Sequence, residues 1–167
     1  MLMGSYMGGF LILKFAFFPL GLSYPFLSLL FAAMTLCVPF MGYAYLRLYR
    51  DKVCGGSIGV LHAWATHILL YFYAALLAAL PHYLYFRFID RGLIADSYQT
   101  QWEQIQQAGG SEVSSLAPMM EESLQTLHTL TPLDWTLNLL SSDVMAGVLL
   151  GLPVALVVRR KRIEPKN

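Results

Sequence analysis

The sequence predicts an all-α membrane protein, a four-transmembrane-helix bundle carrying an extracytoplasmic two-helix amphipathic hairpin between its third and fourth spans. Composition is the first reason: 57% of the 167 residues are hydrophobic and only 13% are charged, far from the balance of a soluble domain. The second is length, because four apolar runs each reach the roughly 20 residues that cross about 30 Å of hydrocarbon. Charge segregation is the third. The net charge of +1 conceals basic residues gathered at "RLYRDK" (47–52) and "RRKR" (159–162), while residues 87–134 hold seven acids against two arginines.

Taken in chain order, the spans are about 7–24, 25–46, 58–86 and 132–158 within a single membrane domain of residues 1–167. The opening run "MLMGSYMGGFLILKFAFF" has no basic leader and no small-residue cleavage site, and reads as a retained first span. "LSYP" joins spans one and two as a tight hairpin, and Pro19 and Pro39 predict local kinks or irregularity. Basic clusters follow the second and fourth spans. An even number of crossings puts both on one face, which the positive-inside rule makes cytoplasmic. Both termini, the loop 47–57 and the tail 159–167 are then cytoplasmic, and residues 87–131 are extracytoplasmic.

That outer segment is helical by its period. Ile94, Tyr98, Trp102 and Ile105 recur at three to four residues, as do Val113, Leu116, Met120, Leu124 and Leu127. The third span is expected to run past Arg87 into the first outer helix, with a bend at Gly92 as the alternative. A turn at Gly109-Gly110 with Ser111 as N-cap then leads into the second helix. "TPLD" starts the last span, with Thr131 as N-cap, Pro132 at the first helical position and Asp134 in the first turn.

Small residues recur every fourth position at Gly4 and Gly8, Ala74 and Ala78, Ala75 and Ala79, and Gly147 and Gly151. Such spacing lets helix backbones approach closely. Packing within the bundle is the preferred reading, over a self-association seam.

The stretch "RLYRDKVCGGSIGVLHAWATHILLYFYAALLAALPHYLYFRFIDRG" resembles the bacterial membrane family called domain of unknown function 4199. The resemblance rests on a second span ending in "YRDK", a Gly-Gly-Ser-Ile turn, an aromatic-Ala third span, "YLYFRFIDRG" leaving it, and Thr131-Pro132 opening the last span. It implies four spans in a bacterial inner membrane and no assigned activity. It also implies a gene encoded near that of a family-2, polyprenyl-phosphate-type glycosyltransferase, which makes such an enzyme a candidate partner. Against that pattern, this chain has few polar residues ahead of its first span.

Ionisable groups inside a span are functional hypotheses, since one at the bilayer centre costs about 2.5–3.5 kcal/mol or more. Asp143 lies near the middle of the fourth span and follows Asn138, Ser141 and Ser142, while Lys14 lies in the cytoplasmic half of the first. As a function, Asp143 with Asn138 and Ser142 would form a proton or cation path. As structure, Asp143 is a hydrogen-bonded carboxyl and Lys14 snorkels to the surface. The structural reading is preferred, because one carboxylate without a second intramembrane acid or broken helices is thin support for transport.

Tyr83, Arg87 and Asp90 share one helix face. Arg87 and Arg91 at the outer boundary would hold a lipid phosphate or a partner's carboxylate, or Arg87 would simply pair with Asp90 beneath an interfacial belt of tyrosines and Trp135. The second account is preferred. His62 and His67 are five apart, about 140° around a helix, which rules out a shared metal face. His82 and His128 near the outer surface with Asp90 or Glu121 are a weak alternative, so no metal or cofactor is expected. Neither a phosphate loop nor a nucleophile elbow is present, and the short basic clusters argue against nucleic acid.

These readings converge on a non-catalytic accessory or scaffold subunit of an envelope complex, whose partners are the bilayer and another membrane protein or a second copy. Candidate partner or lipid contacts are Arg87, Asp90, Arg91, Tyr98, Trp102, Met120 and Leu124. The alternative is a small transporter or flippase for a lipid-linked or small polar substrate, working through Asp143 and the Arg87/Arg91 rim.

Overall fold

The computed structural model describes residues 2–109 and 111–160. The predicted turn residue Gly110, the basic residues Lys161 and Arg162, and the side chain of Ser111, expected as a cap, lie outside what is described. Among the described residues six α-helices follow in order: α1 (Leu2–Ser23), α2 (Pro25–Lys52), α3 (Val60–Tyr85), α4 (Leu93–Ala108), α5 (Ser111–Thr129) and α6 (Pro132–Val158). A five-residue π-helical turn, Phe86–Asp90, follows α3. The only pairing of β type among the described residues is an isolated bridge between Ile58 and Arg160.

The chain forms two compact units, one of residues 1–81 with 137–167 and the other of residues 82–136. In the first, α1, α2, α3 and α6 pack together. Tyr24 alone separates α1 from α2, extended at φ −129° because a residue before proline is pushed out of the helical region. The hairpin closes tightly because Ser28 Oγ donates to the Gly21 carbonyl at 2.7 Å, where a side chain at 21 would collide. Met7, Leu11, Val38, Tyr71, Ala74 and Ala78 form one part of the core, and Leu46, Ile58, Ala63, Ala155 and Val158 another.

Much apolar surface stays uncovered. Leu36 is 70% and Phe40 73% exposed on α2, with Leu29, Leu61, Leu80, Leu149 and Val157 in the same condition. A water-soluble fold does not leave apolar patches of that extent. The four helices ending at Ser23, Lys52, Asp90 and Val158 are long and apolar enough to cross a bilayer, so the outward side chains have lipid as their solvent. The protein is membrane-embedded.

At one end of this unit the loop after α2 is fastened to the end of α6. Ile58 and Arg160 exchange two backbone hydrogen bonds, at 3.0 and 3.1 Å. Arg50 Nη1 donates to the Val158 carbonyl at 3.0 Å, satisfying one of the acceptors that a helix C-terminus leaves open. The α2 and α6 basic segments therefore meet at the same end of the bundle. Gly55 and Gly56, both at positive φ, make the intervening turn possible.

The second unit begins with the alternative reading of the third span, a break at Gly92 in place of a continuous helix. The third helix does not run on into the outer segment; it widens into the π turn and stops, because Arg91 and Gly92 are both left-handed, at φ 46° and 93°. Asp90 explains the break. Its carboxylate accepts from the Gly92 N–H at 3.1 Å and the Ile94 N–H at 3.2 Å, supplying the open donors at the start of α4. α4 and α5 then pack as a hairpin with Ile94, Ala95, Trp102 and Leu124 buried. At its exit Thr131 and Asp134 cap α6 reciprocally: Thr131 N–H and Oγ1–H donate to Asp134 Oδ2 at 2.9 and 2.6 Å, and Asp134 N–H donates to Thr131 Oγ1 at 3.3 Å.

Candidate functional site

Polar side chains collect in one place inside the bundle. His67 and Tyr71 lie four residues apart on α3, one helical turn, and both are fully buried. Their rings stand 4.7 Å apart. His67 Nδ1 is 3.1 Å from the Gly147 carbonyl of α6. A carbonyl only accepts, so Nδ1 carries the proton and Nε2 presents a lone pair. That Nε2 is buried and has no hydrogen-bond partner among the described residues. Tyr71 donates its hydroxyl to the Val38 carbonyl of α2 at 3.3 Å, and Trp64 Nε1 donates to the Val148 carbonyl at 3.1 Å.

Glycines make this arrangement possible. A Cβ on Gly42 would fall 2.7 Å from His67 Nε2 and 3.1 Å from the Tyr71 hydroxyl, and one on Gly151 would fall 3.1 Å from His67 Nδ1. On the opposite flank of α3, Gly4 and Gly8 of α1 lie against Tyr73, Ala74 and Leu77. Ala78 is buried in the same packed face as Ala74. Gly147, Gly151, Ala74 and Ala78 are thus occupied by packing within the bundle.

Asp143 is half-buried on α6. It lies one helical turn from Gly147, whose carbonyl His67 bonds. The Lys14 ammonium of α1 sits 5.7 Å from the centre of the Phe31 ring of α2, within cation–π range. Asn138 and Ser142 are exposed. One residue is about 100° of helix, which turns Asp143 inward and leaves the other two on the outer surface, apart from the path drawn for them from sequence.

In the second unit Arg87, Asp90 and Arg91 line one cavity of about 380 Å³, together with His128, Phe86 and Trp135. Phe86 and Trp135 stack at 5.3 Å with a 13° tilt. Arg87 does not pair with Asp90 as expected, because the Asp90 carboxylate already serves the two backbone donors of α4 and hydrogen-bonds Tyr85. A π turn places residues five apart near one another, which brings Tyr85 to Asp90. Among the described residues Arg87 and Arg91 enter no ion pair. Arg91 holds a left-handed backbone at about 1–2 kcal/mol for a residue with a Cβ, a kind of strain that clusters at functional sites. His128 Nδ1 faces Asp96 Oδ1 at 4.0 Å.

Of the other candidates, Trp102 and Leu124 are consumed in the α4/α5 seam, whereas Tyr98 and Met120 are partly exposed. No group of three His, Cys, Asp or Glu side chains converges among the described residues. Sequence reading passed over His67 and Tyr71 as a pair. Their turn-spaced placement in an otherwise apolar span was the available signal.

A family model described as protein of unknown function (DUF4199) matches residues 2–160. No curated protein and no solved structure matches the chain.

Proposed function

The chain belongs to the DUF4199 family, and from that premise we propose that it is a non-catalytic accessory or scaffold subunit in the bacterial inner membrane. Its termini lie in the cytoplasm and its α4/α5 hairpin outside, where the hairpin engages the extramembrane part of another membrane protein, an envelope enzyme of the kind the family resemblance implies. One observation carries this reading. Although Trp102 and Leu124 fill the seam between the two helices, Ile105, Leu116 and Met119 remain 51%, 54% and 69% exposed.

Residues 92–131 carry five acids and no lysine or arginine. The hairpin is therefore acidic, which opposes docking on anionic lipid and suits a protein that presents basic residues to it. Outward-facing Asn138, Ser141 and Ser142 on α6 add support for contact within the membrane, because polar side chains glue helices in lipid.

In-membrane crosslinking at native expression, followed by gentle purification and mass spectrometry, is the test. A stoichiometric membrane partner is expected with the unaltered chain and lost in Met119→Glu/Met120→Glu. Recovery of the chain alone, or of the same partner with the double variant, would overturn the reading.

Transport is the second reading, favoured by the buried His67 Nε2, which has no hydrogen-bond partner among the described residues, beside Tyr71 at 4.7 Å, with the acid Asp143 one helical turn from the Gly147 that His67 bonds. Proteoliposomes containing the purified chain and a pH-sensitive dye provide the check. If this reading holds, Asp143→Asn reduces voltage-driven proton entry to the level of empty liposomes. Entry that survives the substitution removes Asp143 from any such path.

A further inference from the structure

We propose that the cavity lined by Arg87, Arg91 and His128 is a binding site for a phosphate group, carried by a lipid headgroup or free in solution. The site is independent of the hairpin's partner surface and would stand if that reading failed. Two guanidiniums line it, and neither is in an ion pair among the described residues. Planar guanidinium forks match phosphate oxygens two at a time, with charge-assisted hydrogen bonds. Arg91 is kept in a left-handed conformation at a position where glycine or asparagine would sit without strain, and its side chain enters no ion pair among the described residues.

Size and place narrow the ligand. The cavity, about 380 Å³, falls in the range of small-molecule sites and is roomier than a bare anion needs. Stacked Phe86 and Trp135 give it an apolar wall suited to the glycerol and upper acyl carbons of a lipid. Phe86, Arg87 and Asp90 come from the end of one candidate span, Val60–Asp90, and Pro132 and Trp135 from the start of another, Pro132–Val158, with Arg91 and His128 just beyond them, the level at which headgroup phosphates lie. One carboxylate, Asp90, also lines the cavity; its oxygens accept from the Gly92 and Ile94 N–H groups and its charge remains, outnumbered by the two guanidiniums.

The full chain, purified in a neutral detergent, is titrated with short-chain phosphatidylglycerol, with the matching diacylglycerol and with inorganic phosphate, reading melting temperature and native mass spectrometry. Phosphatidylglycerol is expected to bind one to one and raise the melting temperature, with diacylglycerol inert. Each arginine contributes about tenfold to affinity, so Arg87→Gln/Arg91→Gln weakens binding by about a hundredfold. Arg91→Gly suits the left-handed backbone and removes the side chain with its guanidinium, so it should weaken binding by about tenfold even if the double variant folds poorly. Competition by millimolar inorganic phosphate would identify the free anion as sufficient; its failure would assign the site to the lipid-borne group. Equal binding of diacylglycerol, or undiminished phosphatidylglycerol binding in Arg91→Gly, would overturn the proposal.

Discussion

Gly147→Ala is expected to lower the stability of the bundle by about 1–3 kcal/mol, the usual result of forcing extra volume into a packed interior. The new methyl would lie 2.6 Å from Tyr71 Cβ and 2.8 Å from its Cγ. These are root atoms that cannot swing aside. The ring beyond them is held as well, by the hydroxyl bond to Val38 and by contact with His67. Relief would require α3 and α6 to separate, which would stretch the hydrogen bonds from His67 and Trp64 to the α6 carbonyls. Alanine's helix preference over glycine, about 1 kcal/mol, works in the other direction and is outweighed. Gly9→Ala is the control. Nothing lies within 4 Å of a Cβ at that position, so the same change should leave stability equal or slightly raised. Denaturant unfolding in mixed micelles compares the two, and a Gly147→Ala protein as stable as the parent would show that the α3/α6 contact yields more readily than its geometry implies.

Asp90→Ala should loosen the hairpin while sparing the bundle. The substitution takes the acceptor from the Gly92 and Ile94 amides and from the Tyr85 hydroxyl. Ile94 is fully buried, so its N–H has little water to turn to, and a stranded buried donor costs about 1–3 kcal/mol. Amides at the start of α4 should then exchange at least about tenfold faster, since local opening sets their protection. Peptides from α1 and from the first half of α3 serve as the reference and should not change. Asp90→Asn keeps one carbonyl oxygen and should fall between. Hydrogen exchange by mass spectrometry resolves these segments, and unchanged protection at 92–96 in the alanine variant would mean that α4 starts without help from this carboxylate.

Legibility followed the range over which each signal acts. The four spans are written in runs of apolar residues, and the Thr131–Asp134 cap in four consecutive positions, so both could be read locally. Asp143 also stood out, as any acid in a hydrocarbon span must. Its separation from Asn138 and Ser142 follows from helical angle alone and was open to the same reasoning. The stop after Asp90 was harder, because Tyr85 through Asp90 contain no breaker and the decisive bonds reach forward to Gly92 and Ile94. His67 and Tyr71 were legible as a turn-spaced polar pair, but what His67 bonds was not. Its partner is a backbone carbonyl 80 positions away, and the space for its ring is created by what Gly42 lacks.

The clasp between Ile58, Arg160 and Arg50 has a consequence in time. Its first half leaves the ribosome about a hundred residues before its second, so during synthesis the α2–α3 turn waits in the membrane with its donors and acceptors turned to water. Only delivery of the last helix closes it. Docking of α6 is thereby registered at this end of the bundle, and a polypeptide cut short after the hairpin would keep that end open to proteases that survey the membrane surface.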